Sequence, residues 1–114
     1  MTVAVALAPE ETVTILRLAG DLSLRDMDGL ASVLTDLSVK GKVRVILNFR
    51  QVNHVALTGI SKLAERNFRL RSLGGEIKLV ALAPYVANLF KLVGAFGYFD
   101  VVNNEDLALA RFEA

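Results

Sequence analysis

Large and small apolar residues alternate from Val3 to Leu7, and apolar residues recur among polar ones from Thr12 to Leu18, which predicts a pair of strands. Pro9-Glu10-Glu11 between them predicts the turn of a hairpin, and Gly20-Asp21 is expected to end the second strand. The period then changes. Ser23 suits a helix cap with Asp26 three residues on, and Met27, Leu30, Val33, Leu34 and Leu37 recur at spacings of three and four. Arg25, Asp28, Ser32 and Asp36 fall on the opposite side, so the helix is amphipathic, and Lys40-Gly41-Lys42 is its expected stop.

Val43 to Phe49 is a nearly continuous apolar run, as in a strand buried on both faces of a sheet, and it is expected at the centre. Asn48 to His54 reads as a polar crossing to a helix from about Thr58 to Ser72. At 100 degrees per residue Leu57, Ile60, Leu63, Ala64 and Phe68 gather on one face of it, while Thr58, Lys62, Glu65 and Arg69 line the other. Leu73-Gly74-Gly75 stops this helix before a strand over Glu76 to Leu82. Pro84 suits the first turn of a short helix that packs Val86, Leu89, Phe90 and Val93 inward and stops at Gly94. A strand over Phe99 to Val102 and a last helix over about Glu105 to Phe112 complete the chain. The order β-β-α-β-α-β-α-β-α predicts one α/β domain over residues 1–114, with a mixed, mostly parallel sheet covered by helices and joined by right-handed crossovers.

Composition narrows the function. With 114 residues, the chain has the length of one domain with one core. It is 54% hydrophobic, yet no apolar run approaches the roughly 18 residues of a membrane span. The apolar start lacks a basic segment and meets Pro9-Glu10-Glu11 at once, so no signal peptide is expected and the chain is expected in the cytosol. A net charge of +1 without blocks of either sign gives nucleic-acid binding no support. Zero cysteines and the single His54 exclude thiol chemistry and nearly every zinc arrangement, so no metal or cofactor is expected.

No enzyme constellation is found. Gly94 and Gly97 lack the lysine-hydroxyl pair of a P-loop, and Gly74-Gly75 precedes a strand, opposite to the dinucleotide fingerprint. Ser61 lacks the glycine pattern of a nucleophile elbow. Asp21, Asp26 and Asp28 read as cap and solvated-face residues, and no catalytic residue is named. What stands out is Thr58 beside Gly59 at a helix start, where unpaired N–H groups and the helix dipole favour negative charge, including a phosphate on the hydroxyl. The competing reading is that Thr58 only caps the helix. Thr58, Gly59, Lys62, Glu65 and Arg69, with Leu92 and Phe96 near Ala95 and Tyr98, form the candidate surface for a protein partner. The alternative for Phe96 and Tyr98 is that they fold back on the core.

Taken in order, several pieces resemble the STAS domain, the family of bacterial anti-sigma-factor antagonists and their stressosome and transporter-associated relatives. They are Gly20-Asp21-Leu22, Leu47-Asn48-Phe49, Thr58-Gly59-Ile60, Leu73-Gly74-Gly75 before Ile77 to Val80, and Pro84, Val86, Phe90, Gly94 and Phe99. The resemblance spans nearly the whole chain. It implies a non-enzymatic signalling module that binds an anti-sigma factor acting as a serine/threonine kinase through the helix at Thr58, with Thr58 as the phosphoacceptor. Ala56 stands where the family usually has aspartate, and Leu57 replaces a commonly polar neighbour. The alternative implied by the same family is an unphosphorylated subunit docking on a transporter ATPase or in a stressosome-type assembly.

Overall fold

A computed structural model describes residues 1–7 and 12–113. The expected turn at Pro9-Glu10-Glu11 lies outside the described residues. Among the described residues five strands and four helices follow the expected order: β1 Thr2–Leu7, β2 Thr14–Leu22, α1 Leu24–Val39, β3 Arg44–Val55, α2 Leu57–Ser72, β4 Glu76–Val80, α3 Pro84–Leu92, β5 Asp100–Val102 and α4 Glu105–Glu113. A single 3-10 turn, Phe96–Tyr98, leads into β5. The strands lie side by side in chain order, β1 antiparallel to β2 and all other pairs parallel. The sheet is therefore mixed and mostly parallel, with β3 at its centre.

Alternation along the strands divides the core into two layers. Leu16, Leu18, Val45, Leu47, Phe49, Ile77 and Leu79 join Leu30 and Leu34 of α1, Ile60 and Leu63 of α2 and Phe90 of α3 in one cluster. Ile15, Ile46 and Val80 point the other way, where Ala108 of α4 covers them. Three helices thus cover one face and α4 part of the second.

Two strands outrun their expected ends. Gly20-Asp21 does not break β2: the ladder continues to Leu22 across register shifts at Arg17/Ala19 and Gly20/Asp21, and Gly20 takes φ +94° inside this bulged stretch. Asn48 to His54 is not a crossing but the outer half of β3. Pairing with β4 ends at Asn48, whereas pairing with β2 runs on to Val55. That half is hydrogen-bonded on one side only and buries only Phe49, Val52 and Val55, so its composition imitates a loop. In the opposite direction, β4 stops at Val80 because Ala81 adopts φ +60°, and Leu82 falls outside the strand.

The helical faces also differ in detail. Val33 of α1 and Val93 after α3 are exposed instead of packed inward. In α2 the buried residues are Gly59, Ile60, Leu63, Asn67 and Leu70, while Leu57 and Phe68 are exposed, Phe68 at 78%. The cause is Asn67. Its amide donates to the Tyr98 carbonyl at 2.8 Å and its carbonyl oxygen accepts from the Ile77 amide at 2.8 Å, so a polar residue occupies the core-facing position and turns Phe68 outward.

Candidate functional site

The parallel strands β2, β3 and β4 all end where α1, α2 and α3 begin, so three helix N-termini share one end of the domain. They are finished differently. At α1, Ser23 and Asp26 form a complete capping box: the Asp26 amide donates to Ser23 Oγ at 3.1 Å and the Ser23 amide to Asp26 Oδ2 at 2.9 Å. The Ser23 amide first, and then the Ser23 hydroxyl, which donates to Asp26 Oδ2 at 2.9 Å, hold the Asp26 carboxyl below its ordinary pKa. At α3, Pro84 occupies the first turn, where its missing N–H costs nothing.

At α2 the cap position is held by Ala56, which offers no side-chain acceptor, and the first turn carries no acidic residue. Thr58 is the second helical residue, so it does not cap the helix; its side chain is exposed. The Gly59 amide donates to the Ala56 carbonyl at 3.0 Å, and this uncapped start leaves the Leu57 and Thr58 amides without an intrahelical partner, at the positive end of the dipole beside an exposed hydroxyl. Gly59 is buried for a different reason. A Cβ there would lie 2.5 Å from Met27 Cβ and 2.6 Å from Met27 Cγ, so the glycine is what lets α2 approach α1.

The contact between the two helices continues along their length. Lys62 pairs with Asp28 of α1, and one turn later Arg66 Nε donates to Thr35 Oγ1 at 2.9 Å and to the Ala31 carbonyl at 3.3 Å. Just ahead of the helix start, His54 Nδ1 and the Tyr85 hydroxyl are hydrogen-bonded at 3.1 Å with their rings stacked 5.8 Å apart. Asp28, Arg66 and Tyr85 carried no signal in the sequence, since each partner lies some thirty residues away.

The other expected surface residues fall apart into two places. Glu65 and Arg69 remain exposed on α2, beyond Lys62. Leu92 and Phe96 sit at the opposite end of α3 from the helix N-termini, and so away from Thr58. Leu92 is 72% exposed, Ala95 is buried, Phe96 packs against the core with Lys91 over its ring, and Tyr98 is 64% exposed. The fold-back expected as an alternative therefore holds for Phe96 and not for Tyr98. Among the described residues no helix is long and apolar enough to cross a membrane, and no group of three His, Cys, Asp or Glu residues could hold a metal ion.

A family model described as the STAS domain matches residues 4–108. The chain belongs to the STAS domain family. BtrV of Bordetella bronchiseptica, named as an anti-sigma factor antagonist, is 27% identical to this STAS domain over 96 residues, covering 84% of this chain and 83% of that protein. The fold is shared with the anti-sigma factor antagonist SpoIIAA in its unphosphorylated form, at a TM-score of 0.83 and 18% identity over 98% of this chain and 96% of that one. The phosphorylated form of the Bacillus SpoIIAA superposes with a TM-score of 0.76 at 18% identity, over 97% and 99% of the two chains. TM1081 of Thermotoga maritima gives a TM-score of 0.87 at 15% identity, over 98% and 95%.

Proposed function

We propose that this STAS domain is a signalling module of the anti-sigma-factor-antagonist kind, which binds an anti-sigma factor that is also a serine/threonine kinase through the N-terminal end of α2 and is switched by phosphorylation of Thr58. The observation that carries the proposal is the exposed Thr58 hydroxyl at the second position of a helix with no side-chain cap. Phosphorylation adds about −1.5 to −2 charges there, where the dipole favours them, so α2 itself survives. The change is felt at the interface, through desolvation and repulsion of a partner's carboxylates. Lys62 lies one turn away but is already engaged by Asp28, so the new phosphate competes with Asp28 for it. The phosphorylated form of SpoIIAA and the naming of BtrV support the same reading by family.

Ala56 favours a second reading, a subunit that docks through the same helix on a transporter ATPase or in a stressosome-type assembly and is not phosphorylated, because the carboxylate usual at that position is missing. Incubation with the cognate kinase and ATP, followed by phosphate mapping by mass spectrometry, separates the two. A single phosphate on Thr58 supports the switch. Tight binding with Thr58 left unmodified sinks it, and indifference of binding to Thr58→Glu then selects the subunit.

A further inference from the structure

The C-terminal half of α2 carries two exposed features that the Thr58 end does not use. Phe68 stands 78% exposed in the middle of a regular helix, between a groove of about 680 Å³ on one side and one of about 540 Å³ on the other. The larger groove is floored by Ala64 and Asn67 and walled by Phe68 and Tyr98, with Arg71 at its rim. The two hydrogen bonds of Asn67 beneath it tie α2 to the Tyr98 backbone and to β4. The smaller groove is bordered by Arg66 and Arg69. Neither Arg69 nor Arg71 forms an ion pair with a carboxylate among the described residues, and the single acidic residue along the grooves, Glu65, is paired with Arg66.

We infer that this face docks an acidic amphipathic helix of another protein, its apolar side chains seated against Phe68 and Tyr98 and its carboxylates meeting Arg69 and Arg71. Charge decides the occupant. A second copy packed face to face by a two-fold axis would bring these arginines toward each other in a desolvated contact, whereas an acidic helix neutralises them. The surface is also separate from the phosphorylation site. Phe68 follows Thr58 by ten residues, about 15 Å at the helical rise, which exceeds a Debye length of about 8 Å at physiological salt. The inference therefore stands whether or not Thr58 is phosphorylated.

The test is an amide and side-chain NMR titration of the whole chain with a helical glutamate–leucine peptide and with its lysine–leucine counterpart. The acidic peptide is expected to shift Ala64, Phe68 and Tyr98, to weaken with added salt, and to lose about tenfold in affinity with Arg69→Glu plus Arg71→Glu. Phe68→Ser, at an exposed position, is expected to remove binding with an unchanged circular dichroism spectrum, and Thr58→Glu to leave it as it was. No shifts, equal binding of the basic peptide, shifts centred on Thr58, or Phe68 signals that move with protein concentration alone would each overturn the inference.

Discussion

A hydroxyl at the second position of α2 has no capping duty there, because Ala56 holds the cap position and the chain passes it in an extended conformation at φ −62°, ψ 121°. The aspartate usual in the family at that position would itself accept from the first-turn amides. With alanine, the Leu57 and Thr58 amides stay available to an anion on Thr58, while the Gly59 amide donates to the Ala56 carbonyl. Gly59 beside it was legible as part of the motif but not for its role, since Met27 takes the space a Cβ would need, 2.5 Å away, only when α1 and α2 pack. Gly59→Ala is expected to destabilise the domain by about 1–3 kcal/mol, because Met27 is met at Cβ and cannot swing aside. Urea denaturation measures it, and an unchanged midpoint would refute tight packing at this contact. Thr58→Ala, at an exposed position, is expected to leave the same midpoint nearly unmoved.

Among the elements, α4 is joined to the sheet by ion pairs as well as by its apolar contact at Ala108. Arg17 donates to Glu105 through Nε at 2.9 Å and Nη2 at 2.8 Å, and Asn48 Nδ2 donates to the same carboxylate at 2.6 Å. The Arg17 bond chiefly holds the Glu105 carboxyl below its ordinary pKa, against the opposing effect of burial. At Asp100, burial pushes upward, but hydrogen bonds from Arg111 and Lys78 keep the carboxyl below its ordinary value. Carboxylates depressed in the folded state bind more protons when unfolded. Their contribution is complete above the unfolded pKa of about 4 and is lost as pH falls through the folded values. Denaturant midpoints are therefore expected to be flat near neutral pH and to drop below about pH 4, with a shallower drop for Glu105→Gln. An identical acid limb in that variant would contradict the anchoring role of Glu105. None of these partners was legible: Arg17 and Glu105 are 88 residues apart, and only the sheet brings them together. Helix existence, by contrast, followed from spacing, and the Ser23–Asp26 box was readable because it is local. The orientation of α2 was misread because a helical projection counts apolar residues and cannot know that Asn67 finds two backbone partners in the core.

For the whole molecule, the order of elements and the mixed parallel sheet followed from the change of hydrophobic period along the chain, and the STAS pattern agreed with them. The misread ends of β2 and β3 share one cause: pairing is not a local property. The outer half of β3 has β2 alone beside it, and Gly20 bends β2 without releasing it. The same sheet geometry sets the spatial division, with three helix N-termini gathered at the strand ends and the Phe68–Tyr98 face at the other end of α2. The most direct test of the Thr58 switch is a calorimetric comparison of the partner kinase binding to the unmodified and to the Thr58-phosphorylated domain. The unmodified form is expected to bind and the phosphorylated form to lose at least about tenfold in affinity. Equal affinities for the two forms would contradict a switch at Thr58.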